Sequence, residues 1–179
     1  LNELEARELM RAEQEIFSMY EQTTRFTAED ICTMHKLWLE NIYPFAGKYR
    51  TVNMSKGDFP FAAASRIDSC MQDFQKKFLS KYTPCEDLDG DELALVLAIV
   101  HVEFILIHPF REGNGRIGRM LTVLMALQAG KPPLNFNAID QTRNSKGFEN
   151  YIHAIHAGVD TDYTPMQKIF SKILEESMP

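Results

Sequence analysis

Cysteine is scarce: Cys32, Cys70 and Cys85 are scattered through 179 residues with no CxxC pair. An odd, widely spaced set argues against a disulfide framework or a thiolate zinc site and predicts free thiols in a reducing compartment. Long apolar runs are missing too. The longest, LALVLAIVHVEFILI from Leu93 to Ile107, includes His101 and Glu103. It falls short of the roughly 18 residues of a membrane span, so it predicts a buried core helix and no membrane partner. Positive charge is in deficit, with 19 Lys and Arg against 25 Asp and Glu and a formal charge of −6. No lysine-rich tract offsets this, so the surface as a whole repels nucleic acid. No Ser/Gly/Pro-rich linker or repeat period appears, and one domain over residues 1–179 is expected. The opening LNELEARELMRAEQEI has neither the apolar core of a signal peptide nor the Arg-rich, acid-poor composition of a transit peptide. Cytoplasm is the expected location.

What is present reads as mainly helical. Leu4, Leu9, Ile16 and Phe17 predict a helix over about 3–20. TAED at 27–30 is a variant capping box opening a helix through Ile31, Met34, Leu37 and Trp38 that ends near Pro44. GKYRTVNMSKGDFPF shifts to β-branched and aromatic residues around KGD, which predicts one short hairpin over about 48–61. Ile67, Met71, Phe74 and Phe78 mark a helix from about 64 to 82, and the apolar run 93–107 is the next. Ile117, Leu121, Leu124 and Met125 mark another over about 116–129, stopped by Gly130. Phe148, Ile152, Ile155 and His156 mark one closing near Gly158. TPMQ at 164–167 predicts a last start, with Thr164 as cap and Gln167 reaching back.

HPFREGNGRIGRM at 108–120 lies between two of these helices. A loop feeding a helix N-terminus offers unpaired N–H groups and the positive end of the macrodipole to an anion. Gly113, Asn114 and Gly115 are expected to take left-handed conformations that gather those N–H groups into a nest. Arg116 and Arg119 share a helical face and lean toward the N-terminus. Residues 111–119 hold three Arg and one Glu, 3 − 1 = +2 within a chain of −6, which favours a polyphosphate ligand whose oxygens match the guanidinium fork. Beside a phosphate chain the lone acid, Glu112, suits Mg²⁺, which takes few protein ligands. His108, at the lip of this site, can accept a proton near neutral pH. The spacing is not a P-loop, since GxxxxGK[ST] is absent, nor a dinucleotide fingerprint, since no βαβ unit surrounds it.

The segment resembles the Fic family, whose signature HxFx[DE]GNGRxxR is matched at every fixed position by His108, Phe110, Glu112, Gly113, Asn114, Gly115, Arg116 and Arg119. FAGKYR at 45–50 is similar to the family's AGxxR element, and TVNMSKGDFPF to its flap. The resemblance implies a mainly α, Fic-type domain with the hairpin beside the active site. It implies a protein adenylyltransferase that moves AMP from ATP to a Ser, Thr or Tyr hydroxyl of a target protein, releasing pyrophosphate. In that scheme His108 is the base and Glu112 holds Mg²⁺. The backbone of residues 113–115 with the side chain of Asn114 lines an anion hole. Arg116 holds the β-phosphate and Arg119 the γ-phosphate, while Phe110 anchors the loop. The flap clamps the target as an added strand, with Lys56 and Gly57 at its tip near the nucleotide, and Tyr151 approaches the adenine.

Many members of the family carry an inhibitory helix marked [ST]xxxE[GN], whose Glu meets the second motif arginine. SKGFEN at 145–150 fits the letters but falls where the family has an ordinary core helix. SKILEE at 171–176, within a C-terminal helix of about 164–177, has Glu176 in the final position. Self-inhibition through Ser171 and Glu175 and inhibition by a separate antitoxin both stay open. Transfer of UMP, phosphocholine or the γ-phosphate, and a nucleotide-binding regulatory module without catalysis, are the alternative functions. His153, His156 and His101 are read as structural, because no nearby acid or thiol completes a ligand set.

Overall fold

The computed structural model describes residues 2–179. Helix α1 (Glu3–Met19) starts at a capping box in which Asn2 and Glu5 cap each other's backbone N–H, and it buries Ala12 and Ile16. Helix α2 (Ala28–Leu39) starts at the anticipated box, with Thr27 and Asp30 as the reciprocal pair. It stops at Leu39, short of Pro44, because the carbonyl of Leu39 is shared by the N–H groups of Ile42 and Tyr43 and the chain continues as turns to Ala46.

The hairpin is shorter than its 48–61 sequence signal. Strand β1 (Ser55–Lys56) pairs antiparallel with β2 (Phe59–Pro60), Ser55 opposite Pro60 and Lys56 opposite Phe59. Gly57, with φ of 58°, takes the first place of the two-residue turn, a backbone shape that glycine adopts without steric cost.

A 3₁₀ turn (Ala64–Arg66) leads into α3 (Ile67–Phe74), a π turn (Gln75–Leu79) and α4 (Ser80–Tyr82), covering the anticipated helix. The π turn rotates the buried face by inserting a residue, so Leu79 is enclosed and Phe78 only partly covered. Gln75 at its start accepts the N–H of Ala28 at 2.8 Å and ties it to α2.

Helix α5 (Gly90–Ile107) is the centre of the molecule. It buries residues on every side, Leu93, Leu97, Val100 and Phe104 among them, as a helix apolar all round must. It begins at Gly90, three residues before the apolar run, where the side chain of the cap residue Asp89 accepts the Gly90 N–H. Packed against it are α6 (Asn114–Gln128), α7 (Ser145–Ala157) and α8 (Thr164–Ser177). Helix α8 departs from its expected start. Tyr163 is the cap residue, Asp162 accepts the Thr164 N–H at 3.0 Å, and Gln167 reaches the carbonyl of Asp91 rather than back along its own helix. The protein is mainly α with one antiparallel hairpin. Its three cysteines are free, and no described helix is long and apolar enough to cross a membrane.

Candidate active site

His108 ends α5. Its N–H still bonds the carbonyl of Phe104 at 3.0 Å, but its own φ and ψ of 53° and 59° turn the chain left-handed, a conformation costing a non-glycine residue about 1–2 kcal/mol. Neighbouring groups hold it there. Arg50 Nε donates to the carbonyl of His108 at 2.6 Å, and the Arg50 backbone N–H donates to that of Pro109 at 2.8 Å. The imidazole lies flat on Phe61 of the flap, with centroids 3.8 Å apart and planes 7° apart. Its Nδ1 lies 3.3 Å from the carbonyl of Ile105. A carbonyl only accepts, so Nδ1 carries the proton and Nε2 the free lone pair. Burial outweighs the Ile105 carbonyl and, with the charges of Arg50 and Lys56, pushes the imidazole down to about 4. At neutral pH it is in the proton-accepting form, as a base at this position requires.

The loop from 109 to 113 is braced on three sides. Phe110 is wholly enclosed and stacks on His35 of α2, with centroids 3.8 Å apart. His35 accepts the N–H of Gly47 at Nδ1 (2.8 Å) and donates from Nε2 to the carbonyl of Glu112 (3.0 Å). Burial pushes it down to about 4, against the pull of that carbonyl, so one neutral tautomer serves both bonds. Asn114 closes a ring with Phe110, accepting its N–H at 2.9 Å and donating to its carbonyl at 2.8 Å. These two bonds fix the orientation of the Asn114 side chain. Its Oδ1 and one of its two amide N–H groups are engaged by Phe110, which leaves the second amide N–H and the backbone N–H.

The nest is also simpler than expected. Only Gly113 is left-handed, with φ of 85°, while Asn114 and Gly115 are already the first turn of α6. A Cβ on Gly113 would lie 2.5 Å from the Trp38 ring, so glycine is required there twice over. The first helical bond runs from Ile117 N–H to the carbonyl of Gly113 at 3.0 Å, leaving the N–H groups of 114, 115 and 116 for an anion. Arg116 is exposed and Arg119 half-buried, and neither is in an ion pair among the described residues. Burial lowers the Arg119 pKa, an uncomfortable setting for an uncompensated cation. Glu112 is exposed, with one carboxylate oxygen on the Gly113 N–H at 3.1 Å. No cluster of three His, Cys, Asp or Glu suited to a metal occurs among the described residues.

Three cavities meet at Arg119. A mouth of 290 Å³ is lined by His108, Glu112, Arg116, Arg119 and the 113–115 backbone. An apolar chamber of 280 Å³ between flap and α7 is lined by Lys56, Phe59, Phe61, Phe148 and Tyr151, with His108 and Arg119 at its edge. A larger groove of 630 Å³ runs along α1, with Leu9, Glu13 and Phe17 facing Arg116 and Arg119. Flap and α7 also touch directly: Lys56 Nζ sits 5.2 Å above the Phe148 ring, and Phe59 stacks on His156 at 4.2 Å. Tyr151 is 5% exposed, and its hydroxyl lies 2.8 Å from His101 Nε2. Burial, then the nearby Arg119 charge, pushes His101 down to about 3. Gly57 stays at the exposed flap tip, outside the lining of chamber and mouth.

Self-inhibition through Ser171 and Glu175 is one of two open options, and the structure places both residues away from the motif. Both line a cavity with Gly90, Asp91 and Lys131, at the opposite end of α5 from His108. At 1.5 Å per residue that helix keeps them about 25 Å from the motif. Glu149 of the other candidate segment is exposed and pairs with Lys146 at 3.5 Å.

Sequence reasoning missed Phe61, the α1 face with Glu13 and above all His35, read Trp38 only as a packing position of α2, and met Arg50 only as a letter of the AGxxR element, with no role. A signal for His35 existed. It falls on the buried face of α2 at helical spacing with Ile31, Met34 and Trp38, and a histidine there needs two partners.

Comparison with known proteins gives the family and the fold. The family model described as "Fic/DOC family" matches residues 25–126. Among curated proteins, "Probable protein adenylyltransferase Fic" of Escherichia coli (strain K12) is 28% identical over 149 residues, which cover 81% of this chain and 68% of that one. "Protein adenylyltransferase Fic" of Nematostella vectensis is 26% identical over 162 residues, 90% of this chain. The match takes in only 35% of the Nematostella protein's own length. Among solved structures, BepC of Bartonella tribocorum with bound AMPPNP superposes with a TM-score of 0.72 at 20% identity, covering 94% of this chain and 83% of that one. The Caenorhabditis elegans Fic-1 fragment gives 0.75 at 23% identity, over 97% of this chain and 49% of that one.

Proposed function

The chain belongs to the Fic/DOC family, and from that membership we propose that it is a protein adenylyltransferase using ATP. The observation that carries the reading is the mouth beside α6, where a neutral imidazole, three free helix N–H groups and two unpaired arginines line one cavity. The acceptor is a Ser, Thr or Tyr hydroxyl of a target protein. His108 Nε2 takes the hydroxyl proton as that oxygen bonds to the α-phosphorus. The bond from α-phosphorus to the bridging oxygen breaks, and pyrophosphate leaves with the electron pair. The N–H groups of 114–116 face the charge that gathers on the phosphate oxygens. Arg116 and Arg119 hold the β- and γ-phosphates. The chamber lined by Phe61, Phe148 and Tyr151 suits a flat base.

Mg²⁺ fits the single carboxylate of Glu112, and when bound it would supply charge neutralisation on the phosphate chain. The flap's hairpin has exposed outer positions, Ser55 and Val52 among them, to which a target segment can add as a strand. The position of Glu175, at the other end of α5, favours a separate inhibitor over self-inhibition. An acidic side chain entering the α1 groove would reach Arg116 and Arg119 and compete with the terminal phosphates. These features support an enzyme acting on ATP and a protein partner.

Incubation with α-labelled or γ-labelled ATP in a cell extract is the test. Label on protein from the α-phosphate alone is expected. Label from the γ-phosphate alone would make the chain a phosphotransferase, and none from either would favour the regulatory module.

A further inference from the structure

The geometry points to Arg50 as a positioning residue that joins the flap and the catalytic end of α5 into one rigid unit, so that His108 and a hydroxyl docked on the flap meet in a single registration. The functional half of this inference rests on the proposed transfer reaction; the structural half does not.

Arg50 is 2% exposed and has no carboxylate among its hydrogen-bond partners. Its guanidinium bonds four backbone carbonyls from two separate segments. Nη1 donates to Val52 (2.7 Å) and Nη2 to Ala62 (2.6 Å), the two stems of the hairpin. Nε donates to His108 (2.6 Å) and Nη2 also to Ile107 (3.2 Å), the last carbonyls of α5. The negative end of that helix stands where a counter-ion would, which is how a buried cation can be tolerated there. Two backbone bonds run alongside, from Arg50 N–H to Pro109 and from Ala62 N–H to Leu106.

The arrangement matters because the hairpin has only two residue pairs and so little stability of its own. Its stems are registered from outside, by Arg50. The flap in turn carries Phe61, on which the His108 ring lies, so movement of the stems moves the imidazole. A planar fork with five fixed donors can span four carbonyls on two segments. The lysine ammonium, a point with three donors, keeps the charge and loses the span.

Amide hydrogen exchange on the native chain is the first test. The Arg50, Ala62 and His108 amides are expected to show protection within about tenfold of one another, as members of one opening unit. The second test is Arg50→Lys. Expected is a rise of more than about tenfold in exchange at 50–62 and 107–110, with α2 and the middle of α6 unchanged. Affinity for ATP should stay within about threefold, because Arg50 lines neither the mouth nor the chamber, while AMP transfer falls by about a hundredfold, the loss that an ångström of misplacement brings. Independent exchange of the three amides in the native chain would overturn the coupling, whether or not the variant folds. A uniform rise across the variant, or transfer at the native rate, would overturn it as well. Should the native chain transfer no AMP at all, the exchange data still decide the coupling, and only the proposed reaction fails.

Discussion

Substituting Gly113 with alanine tests how the anion site is built. An alanine there meets two obstacles. Its φ of 85° is left-handed, which costs an L-residue about 1–2 kcal/mol. Its Cβ would lie 2.5 Å from Cζ3 and 3.1 Å from Cη2 of Trp38, and overpacking of that kind adds about 1–3 kcal/mol. Trp38 cannot swing aside, since it is 1% exposed and its Nε1–H donates to the carbonyl of Glu5 at 3.0 Å. Gly113→Ala should therefore lose about 2–5 kcal/mol. Urea unfolding would read this as a lower midpoint at unchanged slope. Combining it with Trp38→Phe, which removes the clashing ring atoms, should recover about 1–2 kcal/mol as a coupling in the double-mutant cycle and leave the backbone strain. A loss under about 0.5 kcal/mol, or no coupling to Trp38, would refute the reasoning.

Two further outcomes follow from the histidines. An NMR titration of the His108 ring in the free protein should give a midpoint near 4, set by burial and then by Arg50 and Lys56; a midpoint near 6.5 would mean the ring is open to water. His35 and His101, 0% and 1% exposed and pushed down to about 4 and about 3, make stability fall with pH. Below about 6.5 the unfolded chain binds protons on these rings and the folded chain does not, so stability drops progressively toward pH 4. By pH 5 each should have removed about 2 kcal/mol. Urea midpoints at pH 7 and pH 5 check this, and a flat profile would contradict it.

Elements with strong local signals could be read directly. The Thr27 and Asp30 box, the apolar run that became α5 and the 113–119 motif each carry their information within a few residues of sequence. The class and the site loop followed from them, and the hairpin from the β-branched and aromatic shift around KGD. What escaped depends on partners far along the chain. Arg50 bonds residues as distant as His108, and His35 reaches Glu112; nothing local to either marks those partners. Asn114 was placed at the anion hole by the resemblance alone, and its ring of bonds with Phe110, four residues back, had no mark in the sequence. Glu175 matched letters of a pattern, but whether a helix reaches a site is decided by packing along the length of α5.

The central claim is that the His108 imidazole takes the acceptor's proton while other groups hold the nucleotide. Transfer of α-labelled AMP onto protein, measured beside ATP affinity in the native chain and in His108→Ala, tests it most directly. The account predicts transfer reduced to background with ATP affinity within about threefold of native, the pattern of a lost base rather than a lost binding group. Transfer that survives the substitution would contradict it.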